Sequence, residues 1–170
     1  MKFLEELINA GFIGRRNNQE SRYELKIEGL RYLEKIQRKR PESFDCFIAM
    51  KFGDKLLDRA YHESMVPAIL ETGYKPIQMA YLEHNNDIID EMLGGIKRSR
   101  FMVADLSFQN QNVYFEAGFA QGLGIPVIYT CHDYHAHDIK FDTQHANQIR
   151  WSEVEELRVK LKNRILATII

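Results

Sequence analysis

No apolar stretch in the sequence is long enough to cross a membrane: the longest runs, 101–104 and 165–170, fall far short of the ~20 residues a spanning helix requires. A secretory leader pattern is also missing, because Lys2, Glu5 and Glu6 interrupt any apolar stretch at the start of the chain. A cytoplasmic protein with no membrane partner is the expectation. Cysteine is scarce. The two present, Cys46 and Cys131, cannot build a disulfide framework, and each sits in a strand-like apolar run where a reduced thiol behaves as a small hydrophobe. Internal repeats and low-complexity tracts are absent too, which excludes solenoid and fibrous architectures.

What is there suits a globular chain. The 170 residues are 45% hydrophobic, 11% aromatic and 28% charged, enough apolar surface to build a core and about one domain's length, with roughly forty residues to spare for an appendage. The net charge of -1 conceals an asymmetry. Residues 1–40 hold ten Lys and Arg against six Asp and Glu, net +4, while 41–170 hold thirteen against eighteen, net -5. A basic head on an acidic body fits contact with nucleic acid, because cations that neutralise phosphates release counterions. More often such a run is simply a solvated helix face.

Along the head, Phe3, Leu4, Leu7, Ile8 and Phe12 fall at helical spacing and lead to Gly11, a residue suited to a helix end. Two extended pieces follow around Asn17, Asn18 and Gln19, then Leu30, Leu33 and Ile36 mark a second helix. The order helix, hairpin, helix, with Ala10, Gly11, Phe12 and Ile13 before a run through Tyr23, Leu25, Ile27 and Leu33, resembles the distal half of a winged-helix domain. That resemblance implies DNA contact by residues 1–40; a packing or dimerisation arm is the alternative. The basic and proline-containing stretch 38–43 reads as the boundary of a second module, 41–170.

In that module five short strands alternate with helices. Strands are expected at 44–50, 74–79, 101–105, 125–130 and 148–151, and helices at 55–71, 87–100, 113–123 and 153–167. Pro67 inside the first of these helices predicts a kink. The alternation specifies an α/β class: a Rossmann-like or flavodoxin-like parallel sheet with helices on both faces, carrying the small helix-hairpin-helix appendage. Ligands of such sheets sit beyond the carboxyl ends of the strands, where the winding reverses. Met50, Lys51, Phe52 and Gly53 lie at one such end, and Asp105 and Ser107 at the other.

Three acids fall near that place. Asp87 opens a helix, Asp105 ends a strand, and Glu116 lies in the first turn of the following expected helix, within Tyr114, Phe115, Ala117, Gly118, Phe119 and Ala120. Contrasting surroundings can keep one carboxyl ionised as a nucleophile and another protonated as a donor. That pairing suits cleavage at the anomeric carbon of a sugar, with its oxocarbenium-like transition state. The structural alternatives are ordinary: Asp87 as an N-cap and Asp105 as a turn former. Glu116 is harder to explain that way, since a carboxylate in an apolar helix start is costly unless paired or used. Cys131, His132, Asp133, His135, His137 and Asp138 cluster potential ligands, but their spacing matches no structural zinc pattern, so neither metal nor cofactor is expected.

The runs from His84 through Asn85, Asn86 and Asp87 to Ile88, from Val103 to Leu106, and from Asn110 through Asn112 and Glu116 to Ala120 resemble the nucleoside 2-deoxyribosyltransferase superfamily, including its nucleotide N-glycosidase branch. The likeness spans about 44–151 and leaves the head outside. It implies a Rossmann-like domain in which Glu116 matches the nucleophilic glutamate, Asp87 and Asp105 match the acids that orient substrate and assist proton transfer, and Asn110 and Asn112 lie beside the ribose. It also implies a homo-oligomer acting on a nucleoside, a nucleotide or an NAD-like ligand. The family's usual glycine-proline loop is replaced here by Met50, Lys51, Phe52, Gly53 and Asp54. Lys51 there would neutralise a phosphate as a point charge, favouring nucleotides over free nucleosides. A similar glutamate on a similar sheet occurs in TIR-like domains that split NAD, which gives one alternative. A non-catalytic nucleotide sensor with a DNA- or partner-binding head gives another.

Overall fold

The computed structural model describes residues 2–15, 23–37, 43–78, 86–138 and 147–169, with side chains described at all of these except 2, 33–37, 86–88 and 137–138. The chain divides into two units, Met1–Pro41 and Glu42–Ile170. The turn around Asn18, the boundary stretch 38–42 and the residues His84 and Asn85 lie outside the described residues.

In the first unit, helix α1 (Lys2–Asn9) ends as Gly11 adopts φ +75°, a conformation glycine reaches without steric cost. The Gly11 amide then donates to the Ile8 carbonyl and the Phe12 amide to that of Leu7, satisfying the helix's last acceptors. Strand β1 (Ile13–Arg15) pairs antiparallel with β2 (Tyr23–Leu25), and α2 (Ile27–Gln37) follows. A side chain at Gly29 would bring its Cβ within 2.1 Å of the Phe12 carbonyl oxygen, so only glycine allows α2 this close to the corner after α1. The Phe12 and Tyr32 rings stack there at 4.7 Å. Apolar side chains of this unit stay largely outside: Phe3 is 70% and Ile27 67% exposed.

The second unit is built on a parallel sheet. Its strands are β3 (Asp45–Ala49), β4 (Lys75–Gln78), β5 (Phe101–Asp105), β6 (Val127–His132) and β7 (Ile149–Trp151), in the order β4-β3-β5-β6-β7. Cys46–Ala49 of β3 and Phe101–Ala104 of β5 are apolar without interruption because both faces of these strands are covered. Side-chain alternation divides them. Cys46, Ile48, Phe101 and Val103 enter one core layer with Leu57, Met65, Trp151, Leu157 and Leu161, while Phe47, Ala49, Met102 and Ala104 enter another with Met92, Ile96, Val113 and Ala117. Each large side chain fully buried in these layers stabilises the fold by ~1.5–3 kcal/mol. The expected α/β class with helices on both faces of a parallel sheet is therefore what this unit adopts.

Helices α5 (Asn86–Arg98) and α6 (Gln111–Gly122) cover the second layer, and α7 (Val154–Thr168) covers the first. Beside α7 runs a helical stretch made of α3 (Lys55–Ala60), a π turn (Tyr61–Met65) and α4 (Val66–Glu71). Pro67 explains the π turn. Proline has no amide hydrogen, and its ring crowds the carbonyl four residues back. The helix widens just before it, so that the Val66 amide bonds the Tyr61 carbonyl, five residues back, and proline falls in the first turn of a new α segment. Ser64, fully buried, donates its hydroxyl to the Val154 carbonyl and fastens the widened turn to the start of α7.

Several boundaries differ from the sequence expectation. β6 begins two residues later than expected and extends through His132. α6 begins at Gln111 rather than 113, because Asn110 caps it by accepting from the Asn112 amide at 2.9 Å. The polar stretch before it contains a short 3-10 turn, Ser107–Gln109. The apolar C-terminal stretch splits, with Ile165 in the core and Leu166 64% exposed. Among the described residues no helix is long and apolar enough to cross a membrane.

Candidate functional site

The winding of the sheet reverses between β3 and β5: the chain runs from β3 to β4 on one side, then returns past β3 to place β5 on the other. Loops leaving adjacent carboxyl ends at such a point diverge and leave a crevice. From β3 the chain continues through Met50, Lys51 and Phe52 to Gly53, whose φ of +75° turns it into α3. Asp54 caps that helix, its carboxylate accepting from the Leu56 and Leu57 amides at 3.0 and 3.2 Å. From β5 the chain passes through the 3-10 turn to Asn110 and into α6.

A cavity of about 230 Å³ opens there, lined by Met50, Lys51, Phe52, Asn110, Asn112, Val113 and Glu116. Helical spacing puts Asn112, Val113 and Glu116 on one face of α6, since residues three and four apart are neighbours. Glu116 is 3% exposed. The earlier start of α6 moves it from the expected first turn to the second, beyond the reach of the helix-end charge, which fades within one turn. Of the ten residues singled out from the sequence, the fold brings six together here: Met50, Lys51, Phe52, Asn110, Asn112 and Glu116. Val113, an apolar wall, was not foreseen.

Three others, Asp105, Ser107 and Gly53, are not among the residues that line the cavity. Strand alternation turns Asp105 toward the layer that holds Trp151, while α6, which carries Glu116, packs on the opposite layer. Asp105 is fully buried, its two oxygens accepting from the Ser107 amide at 3.0 Å and from the Thr130 hydroxyl at 2.6 Å. Burial pushes its carboxyl above the ordinary carboxylate range, offset only in part by those hydrogen bonds. Ser107 is fully buried too, its hydroxyl accepting from the His132 amide at 2.9 Å. These two residues fasten the loop after β5 to β6 and do not line the cavity. Gly53 shapes the turn and also lies outside the lining. Asp87 belongs to the first turn of α5, and its side chain is outside the described residues.

A wall behind Lys51 was not legible as part of the site. The Lys51 ammonium lies 4.1 Å from the centre of the Phe108 ring, and His135 sits 4.0 Å from the same ring at 41°. Phe108 was the one large apolar residue in an otherwise polar loop, which was the available signal. Among the described residues no three of His, Cys, Asp and Glu gather as a metal site. Burial raises the Cys131 thiol to about 11 and the Cys46 thiol well above its usual value, so both remain protonated near neutrality.

A larger cavity of about 520 Å³ lies between β7 and α7, at the sheet's edge. Two of its three cations are already engaged: Lys160 binds the Arg150 carbonyl and Glu156, and Arg164 binds Asn147 through the carbonyl and side-chain oxygens. Among the described residues neither an acid nor a nucleophile lines it. The smaller cavity, with a nearly buried glutamate at the switch point of a parallel sheet, has the features of a small-molecule site. The chain matches no family model and no curated protein.

Proposed function

We propose that the protein cleaves or exchanges the N-glycosidic bond of a nucleoside, a nucleotide or an NAD-like compound, with Glu116 as the nucleophile. The observation that carries this reading is a nearly buried glutamate lining a small polar cavity beside two asparagines and a lysine. The strand order supports it as well, since second-first-third-fourth-fifth is the flavodoxin-like arrangement, whose ligand site lies at this switch point. A cavity of about 230 Å³ is below the ~300–1,000 Å³ that encloses a whole drug-sized ligand. It suits a pentose, with the base outside the enclosed space.

In the proposed reaction a Glu116 oxygen forms a bond to the anomeric carbon while the carbon–nitrogen bond breaks. The electron pair leaves with the base, which takes a proton; the sequence resemblance matches both Asp87 and Asp105 to the acids that assist this transfer, and we take Asp87 as the donor. Water, or a second base in a transfer reaction, then attacks the same carbon and releases Glu116. Asn110 and Asn112 hold the sugar hydroxyls. The role of Asp105 is to hold the loop that presents them.

Incubation with a panel of nucleosides, deoxynucleotides and NAD, followed for free base, tests this reading. Base release from at least one member is expected, and Glu116→Gln should lower it by about a thousandfold or more, some 4 kcal/mol of barrier. Rapid quenching should trap a protein heavier by one sugar unit. Unchanged release in Glu116→Gln, or no release from any member, sinks the reading. Adding a second base to the assay separates transfer from hydrolysis.

A further inference from the structure

We infer that Phe108 is a positioning residue that holds Lys51 as an anion anchor at the cavity, so that the site selects a pentose carrying a phosphate group over the bare sugar. This rests on reading the cavity as a pentose site, but not on any bond being broken there.

Among the described residues Lys51 is the one cation lining the cavity, and it forms no ion pair with any described carboxylate. Its contact is the face of Phe108, at 4.1 Å, a distance at which a cation is attracted to the negative face of an aromatic ring. A flexible four-carbon stem otherwise lets a lysine head wander. The ring restricts it while leaving its hydrogen-bond donors unspent, since a π face accepts no directed hydrogen bond of normal strength.

The ring itself is held by backbone and by packing. Phe108 adopts φ 63° and ψ 6°, and Gln109 follows at φ 49°. Two consecutive side-chain-bearing residues in the left-handed region cost ~1–2 kcal/mol each. Such strain persists where surrounding contacts fix it. Here His135 packs against the Phe108 ring with centroids 4.0 Å apart, and Phe108 is half-buried against the first core layer. The strained turn thus places an aromatic face next to the cavity's lysine in a loop that is otherwise polar.

One other source of positive charge, the start of α3 after the Met50–Gly53 loop, is already used. The start of α3 would offer free amides to an anion, but the Asp54 carboxylate accepts from Leu56 and Leu57. Glu116, the single acid among the described residues of the lining, repels an anion placed beside it. An anionic substituent consequently belongs at the Lys51 end, with the sugar carbon that reacts at the Glu116 end. A phosphate ester, with a charge near -2 and several acceptor oxygens, is the group a lysine point charge favours most among common sugar substituents.

Calorimetric titration of the full chain with ribose 5-phosphate and with ribose, at constant ionic strength, tests this directly. The unmodified protein should bind the phosphate at least tenfold more tightly, about 1.4 kcal/mol. Lys51→Met should remove that preference. Phe108→Leu should reduce it at least threefold, and Phe108→Tyr, which keeps the aromatic face, should preserve it. Thermal unfolding of each variant checks that the fold is intact, and Lys51→Met, altering a partly exposed side chain, serves if Phe108→Leu does not fold. Equal affinity for the two sugars, binding of neither, or an undiminished preference in a folded Phe108→Leu overturns the inference. Phosphate preference without base release from any substrate leaves it standing and ends the glycosidic reading instead.

Discussion

Asp105 shows how one residue's surroundings reverse its expected part. Its carboxyl is pushed upward by burial, so the folded chain holds this proton more tightly than the unfolded chain, where an aspartate titrates near ~3.9. Between those two values the native state binds more protons, and stability must fall as pH rises through the window. Above the window the full cost of the buried charge is present. Asp105→Asn keeps an acceptor for the Ser107 amide and carries no charge, so it should flatten the pH dependence and exceed the unmodified protein in stability at neutral pH. Asp105→Ala leaves a buried amide and the Thr130 hydroxyl without their acceptor and should cost about 1–3 kcal/mol. Urea midpoints measured from pH 4 to 8 decide both expectations. Parallel pH profiles for the unmodified protein and Asp105→Asn would show that the proton resides elsewhere.

At the scale of elements, what could be read in advance was periodicity, and what could not was direction. The apolar runs of β3 and β5 announce strands covered on both faces, and the helical spacing of Leu57, Ala60, Ala68 and Ile69 announces a helix. Pro67 announced a distortion, though not that it would take the form of a π turn. Six site residues were legible because they follow strand ends or a helix start, positions that topology brings together. The face that Asp105 joins could not be read in advance, because alternation along β5 needs an absolute assignment of faces, which the apolar run Phe101–Ala104 does not supply. Phe108 was missed because its part depends on a left-handed turn that aromatic residues seldom adopt. Gly29 gives a test at this scale. A methyl group there meets the Phe12 carbonyl oxygen at 2.1 Å, backbone that cannot simply rotate away. Gly29→Ala should therefore lower the helical circular-dichroism signal of the first unit and expose the chain near Phe12 to limited proteolysis. An unchanged digestion pattern would mean that α2 does not need this close approach.

For the molecule as a whole, apolar burial is distributed very unequally between the two units. Every buried apolar side chain among the described residues lies between Cys46 and Ile165, in the second unit. The first unit offers helices of 8 and 11 residues, each below the ~12–15 at which an isolated helix becomes even marginal. It holds about 41 residues, a size at which chains usually need a metal, disulfides or a partner to fold. A chain of residues 42–170 should thus unfold in one cooperative transition within a few degrees of the full protein, and should retain any base release and any preference for ribose 5-phosphate. Residues 1–41 alone should show little helical signal. Scanning calorimetry of the two fragments beside the full chain makes the comparison. Failure of 42–170 to fold would show that the two core layers are incomplete without the head, and retention of its fold with loss of activity would place part of the working site in the head.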